Sequence, residues 1–93
     1  MEADKISIEF SEYEYDVLKN NYLISITCAR QLNSVTKSEE GVNLSITLAE
    51  LTDLIGYVAA EANHARSKRK GEDLNSICEY LEVLEFDIKR DRS

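Results

Sequence analysis

The sequence predicts a mainly α domain, a three-helix arrangement with two short strands at most, and three observations carry that reading. Apolar residues step by three and four from Leu48 to Ala65 and again from Leu74 to Ile88, which is the spacing of one helical face. Two apolar alternations, Ile6, Ile8, Phe10 and Leu44, Ile46, each lead to a hydroxyl residue with a glutamate three places on, Ser11 with Glu14 and Thr47 with Glu50. That pairing marks a capping box at a helix start. Proline is absent and glycine stands only at positions 41, 56 and 71, so the chain has few breaks and no flexible linker.

Taken in order, a strand over about residues 5–10 leads to a long first helix over about 11–33. Its apolar residues cover more than one stripe, with Leu18, Tyr22, Ser25, Ala29 and Leu32 on one side, Val17, Ile24 and Cys28 beside them, and Leu23 and Ile26 pointing elsewhere. A helix this apolar belongs at a centre or an interface, so Tyr22, Leu23 and Ile26 are the expected interface residues. Residues 34–43 read as a polar connection, and a second strand over about 42–47 leads to a helix over about 48–66.

Leu48, Leu51, Ile55, Val58, Ala62 and Ala65 draw a single seam on that helix, while Gly56, Ala59 and Ala60 keep it thin. The last helix is expected from Gly71–Asp73 to about Lys89, with Leu74, Ile77, Leu81, Leu84 and Ile88 on its seam and Cys78 and Val83 beside them. The short link between these two helices makes an antiparallel hairpin, about 48–66 with 71–89, packed on the first helix. Small Ala62 and Ala65 then lie opposite Leu74, Ile77 and Cys78, large against small as a close-packed seam requires. Strands joined only through a helix would pair in parallel by a right-handed crossover, pair across a dimer, or serve as extended entries to helices.

Ninety-three residues make one domain, 1–93. A net charge of -7 argues against a surface that tracks phosphate backbone throughout. Cys28 and Cys78 sit in apolar helical patterns and read as reduced thiols. No run approaches the roughly 20 apolar residues of a membrane span, and a cytoplasmic protein is expected.

Glu61 and His64 form E-x-x-H, one quarter of a di-iron carboxylate site. His64 is the only histidine, so a complete site would need a dimer, with Glu50, Glu79 or Glu82 as further ligands; both residues also fall off the seam, and neither metal nor cofactor is expected. Arg66, Lys68, Arg69 and Lys70 form a basic cluster suited to phosphate or to an acidic partner. Part of it is explained as cations at the end of one helix facing acids, Glu72 and Asp73, at the start of the next. A helix-turn-helix reader is disfavoured, because the helix that would enter the groove exposes Glu72, Glu79, Glu82 and Asp87. Tyr13, Tyr15, Tyr57, Tyr80 and Phe86 lie outside the seams. Without a second imidazole, a C-x-x-C pair or a glycine-rich phosphate loop, the pattern is not that of an enzyme.

The stretch Leu54-Ile-Gly-Tyr-Val-Ala-Ala-Glu-Ala-Asn-His64, followed by the basic turn and a leucine-spaced helix, resembles small uncharacterised prokaryotic proteins with an AAEANH-type helix, some linked to plasmid or mobile-element genes. The likeness covers about residues 44–88. It implies the helical hairpin and a prokaryotic setting, and carries no activity. The expected function is therefore a non-enzymatic helical interaction module that forms a homodimer and binds another protein, as an accessory factor of a mobile element or plasmid. The alternatives are a nucleic-acid-associated regulator that presents the basic turn 66–70 in a dimer, and a metal-binding helical dimer built on Glu61 and His64.

Overall fold

Period-two burial runs through both strands that the sequence marks. The structure, a computed structural model, describes residues 5–33 and 35–92. Along β1 (Lys5–Phe10), Ile8 and Phe10 are buried while Lys5, Ser7 and Glu9 are exposed. Along β3 (Gly41–Thr47), Val42, Leu44 and Ile46 are buried while Asn43 and Ser45 are exposed. Opposed in register, Ile8 meets Leu44 and Phe10 meets Val42, so one apolar face of the sheet is covered and the other is solvated.

A third strand, β2 (Val35–Ser38), completes the sheet in the order β1-β3-β2, with both pairings antiparallel. This corrects two expectations. Within residues 34–43, the polar connection holds a strand, although Ser34 lies outside the described residues. The two expected strands therefore pair antiparallel rather than in parallel: β2 turns back into β3 through Glu39 and Glu40, and that reversal sets β3 against β1. Gly41 closes the turn at φ 149°, where a Cβ would stand 2.4 Å from the Phe10 carbonyl oxygen. Only glycine fits so close to another backbone in that conformation.

The long first helix is three short ones, α1 (Glu12–Asn20), α2 (Tyr22–Thr27) and α3 (Ala29–Asn33). Asn21 makes the first break. Its extended backbone ends α1, and its side-chain oxygen accepts from the Ile24 amide at 3.0 Å to cap α2. Cys28, at φ -108° and ψ 22°, makes the second. The turns let Tyr15, Leu18, Ile24, Cys28 and Leu32 all reach the core, which a straight helix would have spread along its length.

Both capping boxes form as read. The Glu14 amide donates to Ser11 Oγ at 3.1 Å and the Ser11 amide to Glu14 Oε1 at 2.8 Å. The Glu50 amide donates to Thr47 Oγ1 at 3.1 Å and the Thr47 amide to Glu50 Oε1 at 2.9 Å.

Behind Thr47, α4 (Leu48–His64) buries Leu51, Leu54 and Val58, and α5 (Lys68–Arg92) packs along it through Leu74, Ile77, Cys78 and Leu81. Leu54 joins the seam, whereas Ile55, Leu84 and Ile88 are only half-buried and Val83 is exposed. The last helix starts earlier than expected because Ser67 caps it: the Lys70 amide donates to Ser67 Oγ at 3.0 Å and the Gly71 amide to the Ser67 carbonyl at 3.1 Å. The chain is thus mainly α, with five helices among the described residues over one face of a small antiparallel sheet.

Candidate functional site

Splitting the first helix decides which of its apolar residues are left outside. On α2 only Ile24 turns inward, and Tyr22, Leu23 and Ile26 remain 75%, 55% and 57% exposed. These are the expected interface residues, and the described chain leaves all three uncovered. Beside them, Leu23, Ile24 and Thr27 of α2 and Tyr57, Ala60 and Glu61 of α4 line a shallow pocket of about 290 Å³. Tyr57 and Ala60 share one α4 face with Gly56, whose added Cβ would meet nothing within 4 Å. The thin part of α4 therefore flanks an open surface, not the hairpin seam; at the seam, an added Cβ on Gly71 would lie 3.6 Å from the Ala62 carbonyl oxygen and from Ala65 Cβ.

The basic cluster lies at the turn between α4 and α5. Arg66, Lys68, Arg69 and Lys70 are all exposed and make no ion pair among the described residues. Their helix-end explanation needs correction. Because α5 begins at Lys68, three of the cations occupy its first turn, where the macrodipole disfavours positive charge, and no acid stands in that turn.

Arg69 and Lys70 line a cleft of about 550 Å³ with Ser67, Asp73 and Leu74 of the same segment and Tyr13, Val17, Asn20, Asn21 and Tyr22 of α1 and the α1–α2 junction. The Tyr13 hydroxyl closes one side by donating to Asp73 Oδ2 at 2.5 Å. The cleft thus combines an apolar floor of Val17 and Leu74, two tyrosines, two side-chain amides and two cations. Sequence reasoning found Tyr22, Arg69 and Lys70 but not that they share a wall. The Asn20-Asn21 pair was the available signal, since paired asparagines favour a cap over a helix interior.

Glu61 is half-buried beside the α2–α4 pocket, and His64, one turn further on, is exposed. Among the described residues no group of three or more His, Cys, Asp or Glu side chains could hold a metal ion, so the E-x-x-H pair gathers no third ligand within the chain. Tyr15 is a core residue. Tyr80 donates to the Glu9 carbonyl at 2.6 Å and meets Phe10 edge-to-face at 6.1 Å, which fastens α5 to β1. Phe86, near the end of α5, is exposed.

Cys28 and Cys78 are buried and free. Burial pushes both thiols up, Cys78 to about 11 with help from its hydrogen bond to Glu82 Oε1 at 3.0 Å. The Glu50 carboxyl is lowered, first by the Thr47 backbone amide that it accepts from.

Among the described residues, no helix is long and apolar enough to cross a membrane. Comparison of the chain with family models, curated proteins and solved structures finds no match.

Proposed function

We propose that the chain is a non-enzymatic interaction module that pairs with a second copy of itself through the α2–α4 surface. The supporting observation is the outward set of Tyr22, Leu23 and Ile26 on a six-residue helix that buries only Ile24. A lone exposed leucine needs no explanation, but a contiguous apolar surface flanked by Tyr57 does.

A second copy is the favoured occupant on charge grounds. The surface is rimmed by Glu61 on one pocket and by Arg69 and Lys70 through Tyr22 on the other. A twofold axis can therefore set acid against base while the apolar centre meets itself. Four of the 11 lysines and arginines gather between 66 and 70, so the rest of the chain is more acidic than its net -7 implies. The basic turn of one copy is thus complementary to most of the surface of another. An accessory role in a prokaryotic setting follows only from the resemblance of residues 44–88 to small prokaryotic proteins, some of them linked to plasmid or mobile-element genes.

Light scattering and sedimentation test the pairing. A dimer at micromolar concentration is expected, and Leu23→Ser with Ile26→Ser should give a folded monomer by circular dichroism. Removing two half-exposed side chains of this kind forfeits roughly 1.5–3 kcal/mol of burial per protomer, and both protomers lose it. A wild-type chain that stays monomeric at high micromolar concentration overturns the reading.

A nucleic-acid contact is the second reading, favoured by the four cations without ion pairs. It is opposed by Glu72, Glu79 and Glu82, exposed along the same helix.

A further inference from the structure

The cleft between α1 and the start of α5 has its own lining, distinct from that of the α2–α4 pocket; Tyr22, Arg69 and Lys70 stand where it borders the pairing surface, and pairing gives no role to its Tyr13, Asn20 and Asn21. Its volume of about 550 Å³ falls in the range of small-molecule sites, roughly 300–1,000 Å³. Its lining is mixed in the way such sites are. Val17 and Leu74 supply apolar contact, Tyr13 and Tyr22 supply aromatic faces, and Asn20 and Asn21 supply amides. The Asn21 side-chain oxygen is already engaged by the Ile24 amide, which fixes the amide and leaves its NH2 to donate.

The charge in the cleft is what folding leaves unexplained. Arg69 and Lys70 have no ion pair among the described residues, although the chain carries 18 acids. The one carboxylate in the cleft, Asp73, accepts from the Tyr13 hydroxyl, so its presence reduces the local positive charge without cancelling both cations. A guanidinium and an ammonium lining one cleft suit a phosphate, the first by its planar donor fork and the second as a point charge. Tyrosine faces suit a flat ring, which stacks on them whatever its substituents.

We infer that this cleft binds a small ligand that joins an aromatic ring to a phosphate group, of the size of a mononucleotide. Arg69 and Lys70 hold the phosphate, Tyr13 and Tyr22 flank the ring, and the amides of Asn20 and Asn21 meet its polar edge. The inference does not depend on the pairing proposed above, and the Leu23→Ser, Ile26→Ser variant keeps the two apart because neither residue lines the cleft.

The test is titration of the full chain with AMP, adenosine and inorganic phosphate, followed by calorimetry and by amide shifts of residues 13–22 and 67–74. AMP is expected to bind at least about tenfold more tightly than either fragment, since it alone engages both halves of the site. Arg69→Gln with Lys70→Gln, both exposed positions, should weaken AMP about tenfold or more at unchanged melting temperature, and Leu23→Ser with Ile26→Ser, outside the cleft, should not weaken AMP binding. Three outcomes overturn the inference: no shift in either segment at millimolar AMP, equal binding by the Arg69→Gln, Lys70→Gln variant, or a single-stranded oligonucleotide that binds more tightly than AMP, which would assign the cations to nucleic acid.

Discussion

The Tyr15 hydroxyl donates to the Leu32 carbonyl oxygen at 2.7 Å, inside the core and across 17 positions of sequence. In one continuous helix, residues so spaced would stand roughly 25 Å apart. The bond therefore exists only because the chain turns at Asn21 and at Cys28. It also satisfies a carbonyl at the end of α3, where no helical donor follows. The same turns that bring Leu32 to Tyr15 leave Leu23 and Ile26 outside, so the core bond and the exposed surface have one cause.

Tyr15→Phe keeps the ring and removes that donor. The buried Leu32 carbonyl then loses its partner, and a loss of about 1–3 kcal/mol is expected, read as a lower urea midpoint with an unchanged slope. Asn21→Ala removes the α2 cap and should cost about 1 kcal/mol. A Tyr15→Phe chain as stable as the wild type would show that the hydroxyl does not hold α3 in place.

What was legible in the sequence was what neighbours three or four residues apart determine. Ser11 with Glu14 and Thr47 with Glu50 locate both capped helices, because each box is closed by its own members. The break at Asn21 was written in Asn20-Asn21, but the apolar run behind it, Tyr22 to Cys28, outweighed the cap when read as one helix. Strand β2 carried less signal still: only Val35 is half-buried and Thr36, Lys37 and Ser38 are exposed, so no alternation marks it. Its pairing with β3 makes it a strand, and pairing is not local. The cleft was illegible for the same reason, since Tyr13 and Asp73 are 60 positions apart.

Two glycines should respond to alanine with opposite signs. Gly41 has φ 149° and a Cβ there would press on the Phe10 carbonyl oxygen at 2.4 Å, so Gly41→Ala must distort the β2–β3 turn or the end of β1. A cost of about 1–3 kcal/mol is expected from the backbone conformation alone, and the clash adds to it. Gly56 sits in the middle of α4 with open space where its Cβ would be. Gly56→Ala should stabilise by about 0.4–1 kcal/mol. Thermal melts of the two variants check both signs.

Acid should loosen the start of α4 through Glu50. Its folded value is lowered from 4.5, chiefly by the Thr47 amide, so the native state favours the ionised carboxylate. That contribution is fully present above about pH 4.5 and is lost as pH falls below it toward the folded value. Glutamine at this position can still accept from the Thr47 amide but has no proton to gain. Urea midpoints measured from neutral pH downward should therefore fall less steeply below pH 4.5 for Glu50→Gln than for the wild type.

Alkali acts on the other side, through the two thiols. Cys78 is raised from 9.0 to about 11, first by burial and then by its bond to Glu82, and Cys28 is raised by burial and by Asp53. Folding holds both thiols neutral. In the unfolded chain they ionise near 9.0, so stability is whole below pH 9 and falls as pH rises toward 11, when the native Cys78 ionises as well. Because the thiolate is the reactive form, both cysteines should resist a disulfide-exchange reagent at pH 8 in the native protein and react at once in urea. Cys78→Ala should flatten the alkaline fall while costing about 1 kcal/mol at neutral pH, the scale of a small buried group removed from a packed seam. Rapid native labelling of Cys78 would mean that α5 opens away from α4 far more often than burial of both helices in one core, with Leu51, Leu54 and Val58 on α4, implies.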